Sequence, residues 1–231
     1  MLKKIRNKIS HYNSYFDEIY RSLIRWLDGE LGRKLRYCYY KKRLNSLGNG
    51  VIIDTGVFID GAEFISIGDN THIDKNCILV GSSPSLDLSH RYLKVRRNNH
   101  YTRSRGQITI GRDCHISQNT MLYGYGGIFI GDNSTLSSGT KLYSLTSMAY
   151  NPYNMHEVVS IVPYSGKSPT LEGPIFLGNN VWVGIDCIVS PGVTLDDNTF
   201  VRSQSIVNSS FAENSYAGGN PAVLIRSRFK I

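Results

Sequence analysis

Four cysteines in 231 residues are too few for a disulfide framework in a chain this long. No apolar run approaches the roughly 20 residues that span a bilayer. The basic N-terminal residues are not followed by an apolar stretch, which argues against a signal peptide. A cytoplasmic protein is therefore expected, with the inner face of the membrane as its one alternative address. His, Cys, Asp and Glu nowhere fall at metal-ligand spacing, so no metal is expected. No DNA- or RNA-binding motif accompanies the formal charge of +8, which weighs against nucleic acid.

That charge is unevenly spread. Residues 1–46 hold twelve Lys/Arg against four Asp/Glu, and residues 82–107 hold six against one. The remainder carries eight basic and thirteen acidic residues, so it is acidic. Positive charge concentrated on appendages suits an anionic sugar, a coenzyme A phosphate or a membrane surface.

An aliphatic residue returns at every sixth position from Leu177 through Val183, Val189, Leu195 and Val201 to Val207. Four residues after each of the first five stands a small or β-branched one: Val181, Cys187, Val193, Thr199 and Ser205. A period of six is neither the 3.6 of a helix nor the 2 of an ordinary strand. It marks an internal repeat whose short strands wind as stacked coils. The same hexads lead with Leu47, Ile53, Ile59, Ile67, Ile73 and Leu79, and again with Ile110, Ile116, Leu122, Ile130, Leu136 and Leu142. Cys77, Cys114 and Cys187 occupy the small slot and are expected to be buried.

The pattern sets the organisation. Residues 47–216 form the repeat body, with loop excursions at 82–107 and 144–173. Residues 217–231 form a C-terminal tail. Residues 1–46 lack hexads and carry Phe16, Ile19, Tyr20, Leu23, Ile24, Leu27, Leu31 and Leu35 at helical spacing. Gly29 and Gly32 are expected to split this segment into two helices. They cap the first coil, or lie on an anionic membrane as a peripheral contact; both roles are compatible.

Asn180-Val181-Trp182-Val183-Gly184, Ser190-Pro191-Gly192-Val193-Thr194 and Gly219-Asn220-Pro221-Ala222 add to the period. In this order and approximate spacing they resemble the hexapeptide-repeat acyltransferases of the sugar O-acetyltransferase type, over about residues 47–225. The resemblance implies a mainly β fold, a left-handed parallel β-helix with three strands per coil. It also implies a homotrimer with acetyl-CoA in a groove between neighbouring subunits, and a histidine general base. The implied reaction moves acetyl to a sugar hydroxyl in capsule or lipopolysaccharide assembly. Amino-sugar N-acetylation and a non-catalytic scaffold stay open as alternatives.

Acyl transfer needs a base, oxyanion donors and a site that holds carrier beside acceptor. Where related enzymes carry the base, this chain reads Leu145-Thr146-Ser147-Met148, and Met148 accepts no proton. His156, eight residues on, is the nearest replacement. His115 and His72 each precede a leading isoleucine, point outward and share a face, so His115 is a second candidate. Trp182 matches the family tryptophan bordering the acyl site. Gly184, Ile185 and Ser203 match positions that meet coenzyme A in relatives. Asn208 and Ser209 stand where relatives carry a Thr-Lys pair, and Arg226 with Arg228 could face the nucleotide phosphates. Arg96, Arg97 and His100 in the first basic excursion are the expected acceptor contacts. His90 shares that excursion, and His11 lies in the cap.

Overall fold

A computed structural model describes residues 15–89, 91–156 and 168–229. The expectations that fall on His11 and His90 lie outside these residues. The described chain is a left-handed parallel β-helix of six coils, each with three short strands. Face 1 stacks Ser46–Leu47, Ile65–Ile67, Ile108–Ile110, Ile128–Ile130, Ile175–Leu177 and Thr194–Leu195. Face 2 stacks Ile52–Ile53, His72–Ile73, His115–Ile116, Thr135–Leu136, Trp182–Val183 and Phe200–Val201, then Ser215–Gly219 and Ala222–Ser227. Face 3 stacks Phe58–Asp60, Ile78–Val80, Met121–Tyr123, Lys141–Tyr143, Ile188–Val189 and Ile206–Val207.

Every hexad-leading residue is inside: Ile53, Ile73, Leu79, Leu136, Leu142 and Val207 are fully buried, and none of the eighteen exceeds 5% exposure. Each such burial is worth about 1.5–3 kcal/mol. Cys77, Cys114 and Cys187 are also buried, and desolvation pushes their thiols up, Cys77 to about 12. A thiol held protonated is a poor nucleophile.

The corners follow from turn chemistry. Between faces 1 and 2 the backbone turns through Asn70, Asp113, Asn133, Asn180 and Asn198, all at positive φ. Asn and Asp tolerate that conformation best among residues with a side chain. Just before them run Gly68, Gly111, Gly131 and Gly178. At Gly131 a Cβ would lie 2.6 Å from the Gly178 carbonyl of the next coil, so the coils approach too closely there for any side chain. In the last coil the equivalent residue is Asp196.

Two helices cover the first coil, α1 (residues 15–26) and α2 (Gly29–Lys41). The break falls at Leu27-Asp28, where Asp28 caps α2, and Gly32 lies within α2 instead of breaking it. Its missing Cβ leaves room for the Leu27 carbonyl and the Arg36 guanidinium. Buried Arg36 ties both helices to the coil, donating to the carbonyls of Ile53 (2.7 Å), Ile24 (2.7 Å) and Leu27 (2.6 Å). The outer side of α1 leaves Phe16, Ile19, Leu23 and Trp26 exposed. Among the described residues no helix is long and apolar enough to cross a membrane.

Both excursions leave the same corner, between faces 3 and 1, and they are not simple loops. Arg91–Val95 from the first pairs in parallel with Ser168–Glu172 from the second, which pairs antiparallel with Leu145–Ser147. A fork of two bonds, Arg105 Nε to Glu172 Oε1 at 2.6 Å and Nη2 to Oε2 at 2.9 Å, locks this small sheet. At the other end of the molecule the chain pairs Ser215–Gly219 on face 2 before Ala222–Ser227 turns back along it. The boundary drawn at 216/217 thus falls inside a strand.

Candidate active site

The outward side of face 2 carries one continuous row: Ile52, His72, His115, Thr135, Trp182, Phe200, Tyr216 and Arg226. Trp182 is 47% exposed, donates its indole N–H to Ser137 Oγ at 3.0 Å and meets Phe200 edge-on at 5.3 Å. Phe200 stacks on Tyr216, and the Arg226 guanidinium sits 4.4 Å over the Tyr216 ring.

At the corner between faces 2 and 3, beside Trp182, the structure brings together Gly184, Ile185 and Ser203. The Ile185 N–H donates to Ser203 Oγ at 3.2 Å, one coil away, and the Ile185 side chain is 51% exposed. The Gly184 N–H donates to the Val201 carbonyl, and a Cβ there would strike the backbone between Arg202 and Ser203. The result is a rigid ledge with an apolar lip.

Three residues expected with this group lie elsewhere. Asn208 follows the last face 3 strand and sits at the corner between faces 3 and 1, its carbonyl 3.3 Å from Arg96 Nη1. Arg226 closes the face 2 row. Arg228 donates to the carbonyls of Asn180 (2.8 Å) and Asn198 (3.1 Å), so its charge caps the corner between faces 1 and 2.

The three expected acceptor contacts divide by role. Arg96 is spent on the scaffold, with Nη1 also 3.4 Å from the Pro191 carbonyl. Arg97 and His100 line a cleft of about 320 Å³ with Asn98, Asp196, Ser210 and Phe211. His100 Nδ1 is 3.4 Å from Asp196 Oδ1, and its ring packs on Phe176.

His156 is exposed, and its backbone N–H donates to Asn154 Oδ1 at 3.3 Å. Three residues earlier, the Tyr153 hydroxyl donates to the Leu93 carbonyl at 2.7 Å, which pins this stretch to the first excursion. Met148 is half-buried, with its N–H on the Pro169 carbonyl.

His115 stands two rows from Trp182, which is roughly 10 Å at the spacing of neighbouring strands. It lies directly over His72, with rings stacked at 5.6 Å, and both point outward as expected. Their Nε2 atoms converge on one carboxylate, at 3.0 Å (His115 to Asp74 Oδ2) and 3.1 Å (His72 to Asp74 Oδ1). Asp54 Oδ2 also reaches His72 Nε2 at 3.0 Å, while Arg33 holds Asp54 Oδ1 at 2.7 Å. Burial works to raise the Asp54 carboxyl, but the hydrogen bonds from His72 and Arg33 outweigh it and hold it below the ordinary carboxylate range. Sequence spacing missed this convergence, because one coil plus an excursion separates the two histidines. The signal was their equal position before leading isoleucines, with Asp74 two residues after His72.

The model for the hexapeptide repeat of succinyl-transferase matches residues 107–144. The putative colanic acid biosynthesis acetyltransferase WcaF of Escherichia coli (strain K12) is 32% identical over 122 residues, 53% of this chain and 59% of that one. These matches are to hexapeptide-repeat acyltransferases, and the chain spans about three fifths of the length of WcaF. It is also 26% identical to the dTDP-4-amino-4,6-dideoxy-D-glucose acyltransferase of Escherichia coli over 185 residues, 80% of this chain and 83% of that one. Among solved structures it resembles a single-residue mutant of AntD, an N-acyltransferase from Bacillus cereus, in complex with dTDP and coenzyme A. That likeness has a TM-score of 0.63 and 25% identity, covering 82% of this chain and 88% of AntD.

Proposed function

We propose that the chain transfers an acyl group, acetyl in the first reading, from a coenzyme A thioester to a sugar hydroxyl during surface polysaccharide assembly. The observation that carries this reading is the ledge at Trp182, Gly184, Ile185 and Ser203. It is an exposed apolar edge on immobile coils, suited to the pantetheine arm of a carrier. The likeness to WcaF supports the sugar acceptor, and the likeness to AntD supports the carrier. A second reading, acylation of a sugar amine, is favoured by AntD and by the amino-sugar acyltransferase relative.

In either case the acceptor heteroatom attacks the thioester carbonyl and its proton passes to a base. The tetrahedral oxyanion then collapses with loss of the coenzyme A thiolate, which takes up a proton. His156 is the assigned base, since it lies on the excursion whose strands pair with the acceptor loop. His115 is the runner-up. Arg97, with His100, is assigned to an anionic acceptor.

The test is acceptor-dependent thiol release from acetyl-CoA across a panel of neutral, anionic and amino sugars. Arg97→Ala is expected to raise the KM for an anionic acceptor about tenfold, the worth of about 1.4 kcal/mol, and to leave the KM for acetyl-CoA unchanged. If no panel member releases thiol and calorimetry detects no coenzyme A binding, the chain is a scaffold and the reading fails.

The assembly assigned to the site is a homotrimer. Flat faces of a three-sided prism pair around a three-fold axis, which buries exposed groups such as Trp182 and Ile185 and forms a groove between copies. Sedimentation equilibrium at micromolar protein is expected to give three times the monomer mass of 25.9 kDa. A stable monomer would remove the intersubunit groove from the mechanism.

A further inference from the structure

We propose that His72, His115 and Asp74 form a binding site for a divalent transition-metal ion, zinc-type by its donors, that clasps the second and third coils on face 2. The site uses none of the ledge residues, shares His115 with the runner-up base of the acyltransferase reading, and lies about 10 Å along the same face from Trp182.

The geometry carries the inference first. One ligand atom from each of the three residues lies within 4.8 Å of the others. The present nitrogen-to-oxygen contacts are 3.0 and 3.1 Å. Zinc bonds of about 2.0–2.1 Å in a tetrahedron place neighbouring ligand atoms about 3.3 Å apart. An ion therefore enters with small side-chain rotations and no movement of the coils.

Rigidity comes next. His72 and His115 are paired residues on adjacent parallel strands, so their spacing is fixed by the backbone ladder. Asp74 follows His72 by two residues, and its N–H is bonded to the Ile116 carbonyl of the next coil. Neither an excursion nor a terminus takes part.

Charge gives the third argument. His72 Nε2 faces a carboxylate oxygen of Asp54 as well as one of Asp74. Three carboxylate oxygens thus approach two ring nitrogens, and Arg33 is the cation bonded to this group, through Asp54. Glu30, on the other side of Arg33, adds a further negative charge. A dication at the convergence point relieves this crowding of acceptors.

The donor set selects the class of ion. Two imidazoles and one carboxylate suit zinc, cobalt or nickel better than calcium or magnesium, which take oxygen ligands. Binding requires each imidazole to present an unprotonated Nε2 and to carry its proton on Nδ1. His115 is 47% exposed, His72 33% and Asp74 23%, so a fourth position opens to solvent or to a second copy of the chain. An ion on Nε2 also removes that nitrogen of His115 from proton transfer.

The test uses the intact chain, stripped with a chelator and reloaded with zinc or cobalt. After dialysis, elemental analysis is expected to find one zinc per chain, and the cobalt form a visible d–d spectrum of mixed nitrogen and oxygen ligation. His72→Ala and His115→Ala are each expected to abolish both signals, and Asp74→Asn to weaken binding at least tenfold. His100→Ala, which removes another histidine paired with an aspartate, is expected to retain both. Zinc is expected to raise the melting temperature of the parent chain and not that of His115→Ala. Should an alanine variant fail to fold, His115→Gln replaces it, keeping the volume and losing the imidazole. The proposal is overturned if the folded parent chain holds no zinc at micromolar concentration, or if His72/His115 double variants bind it as well as the parent.

Discussion

His156→Ala is expected to lower kcat for acyl transfer by about 10²–10⁴-fold, the usual contribution of a positioned general base. The KM for acetyl-CoA is expected to hold, since the imidazole acts on the acceptor's proton and not on the carrier. His115→Ala is expected to cost far less, because its Nε2 is engaged by Asp74 at 3.0 Å and it stands two rows from Trp182. The reverse order would move the base onto face 2. Near-full activity in both variants would exclude these two histidines. Met148→His tests the site from the other side: a large gain would mean that the native site lacks a competent base. The comparison is clean because His156 is exposed, so its removal leaves no cavity.

Gly131→Ala is expected to cost about 1–3 kcal/mol, the range for forcing extra volume into a packed interior. A single methyl would meet the Gly178 carbonyl carbon and oxygen at 2.6 Å, both of them backbone, and Asn179 Oδ1 at 2.7 Å. Relief requires the coils to separate. That would strain the bond from the Gly131 N–H to the Leu177 carbonyl (2.8 Å) and the one from the Asp132 N–H to Asn179 Oδ1 (2.9 Å). At about 2–4 °C per kcal/mol for a chain of this size, the melting temperature drops by roughly 2–12 °C. Asp196→Ala, at the equivalent corner of the last coil, is expected to stay within about 0.5 kcal/mol. Calorimetric melting decides it: a Gly131→Ala chain that melts with the parent would show that the corner has slack.

These corners also explain why the fold was legible in the sequence. The repeat is local: each strand, turn and inward slot is written within six residues, and neighbouring coils repeat the message. Leu177, Val183 and Val189 could be assigned inward without knowing what they touch. The excursions carry no such code. Arg91–Val95 and Ser168–Glu172 pair across more than 70 residues, and nothing in either segment's periodicity announces the other. Their register is set by tertiary contacts, above all Arg105 with Glu172.

The candidate site was legible to the same extent. Gly184, Ile185 and Ser203 were brought together because they lie on the repeat, where a separation of 18 residues means one coil. Asn208, Arg96 and Arg226 were harder. Each lies where the repeat ends or is interrupted, and there a basic side chain can cap a carbonyl as readily as face a ligand. Asp74 was invisible as a shared partner, since its role depends on two histidines separated by an excursion.

The small sheet built from both excursions bears on how acceptor preference can change. The cleft assigned to the acceptor is lined in part by the first excursion, yet Arg91–Val95 takes its parallel partner from the second. Neither segment is a cassette. Grafting the 82–107 stretch of a relative onto this body would leave Glu172 without Arg105 and Ser168–Glu172 without its parallel neighbour. Under the proposed reading, the two excursions therefore act as a matched pair, and an exchange meant to change the acceptor has to move both at once.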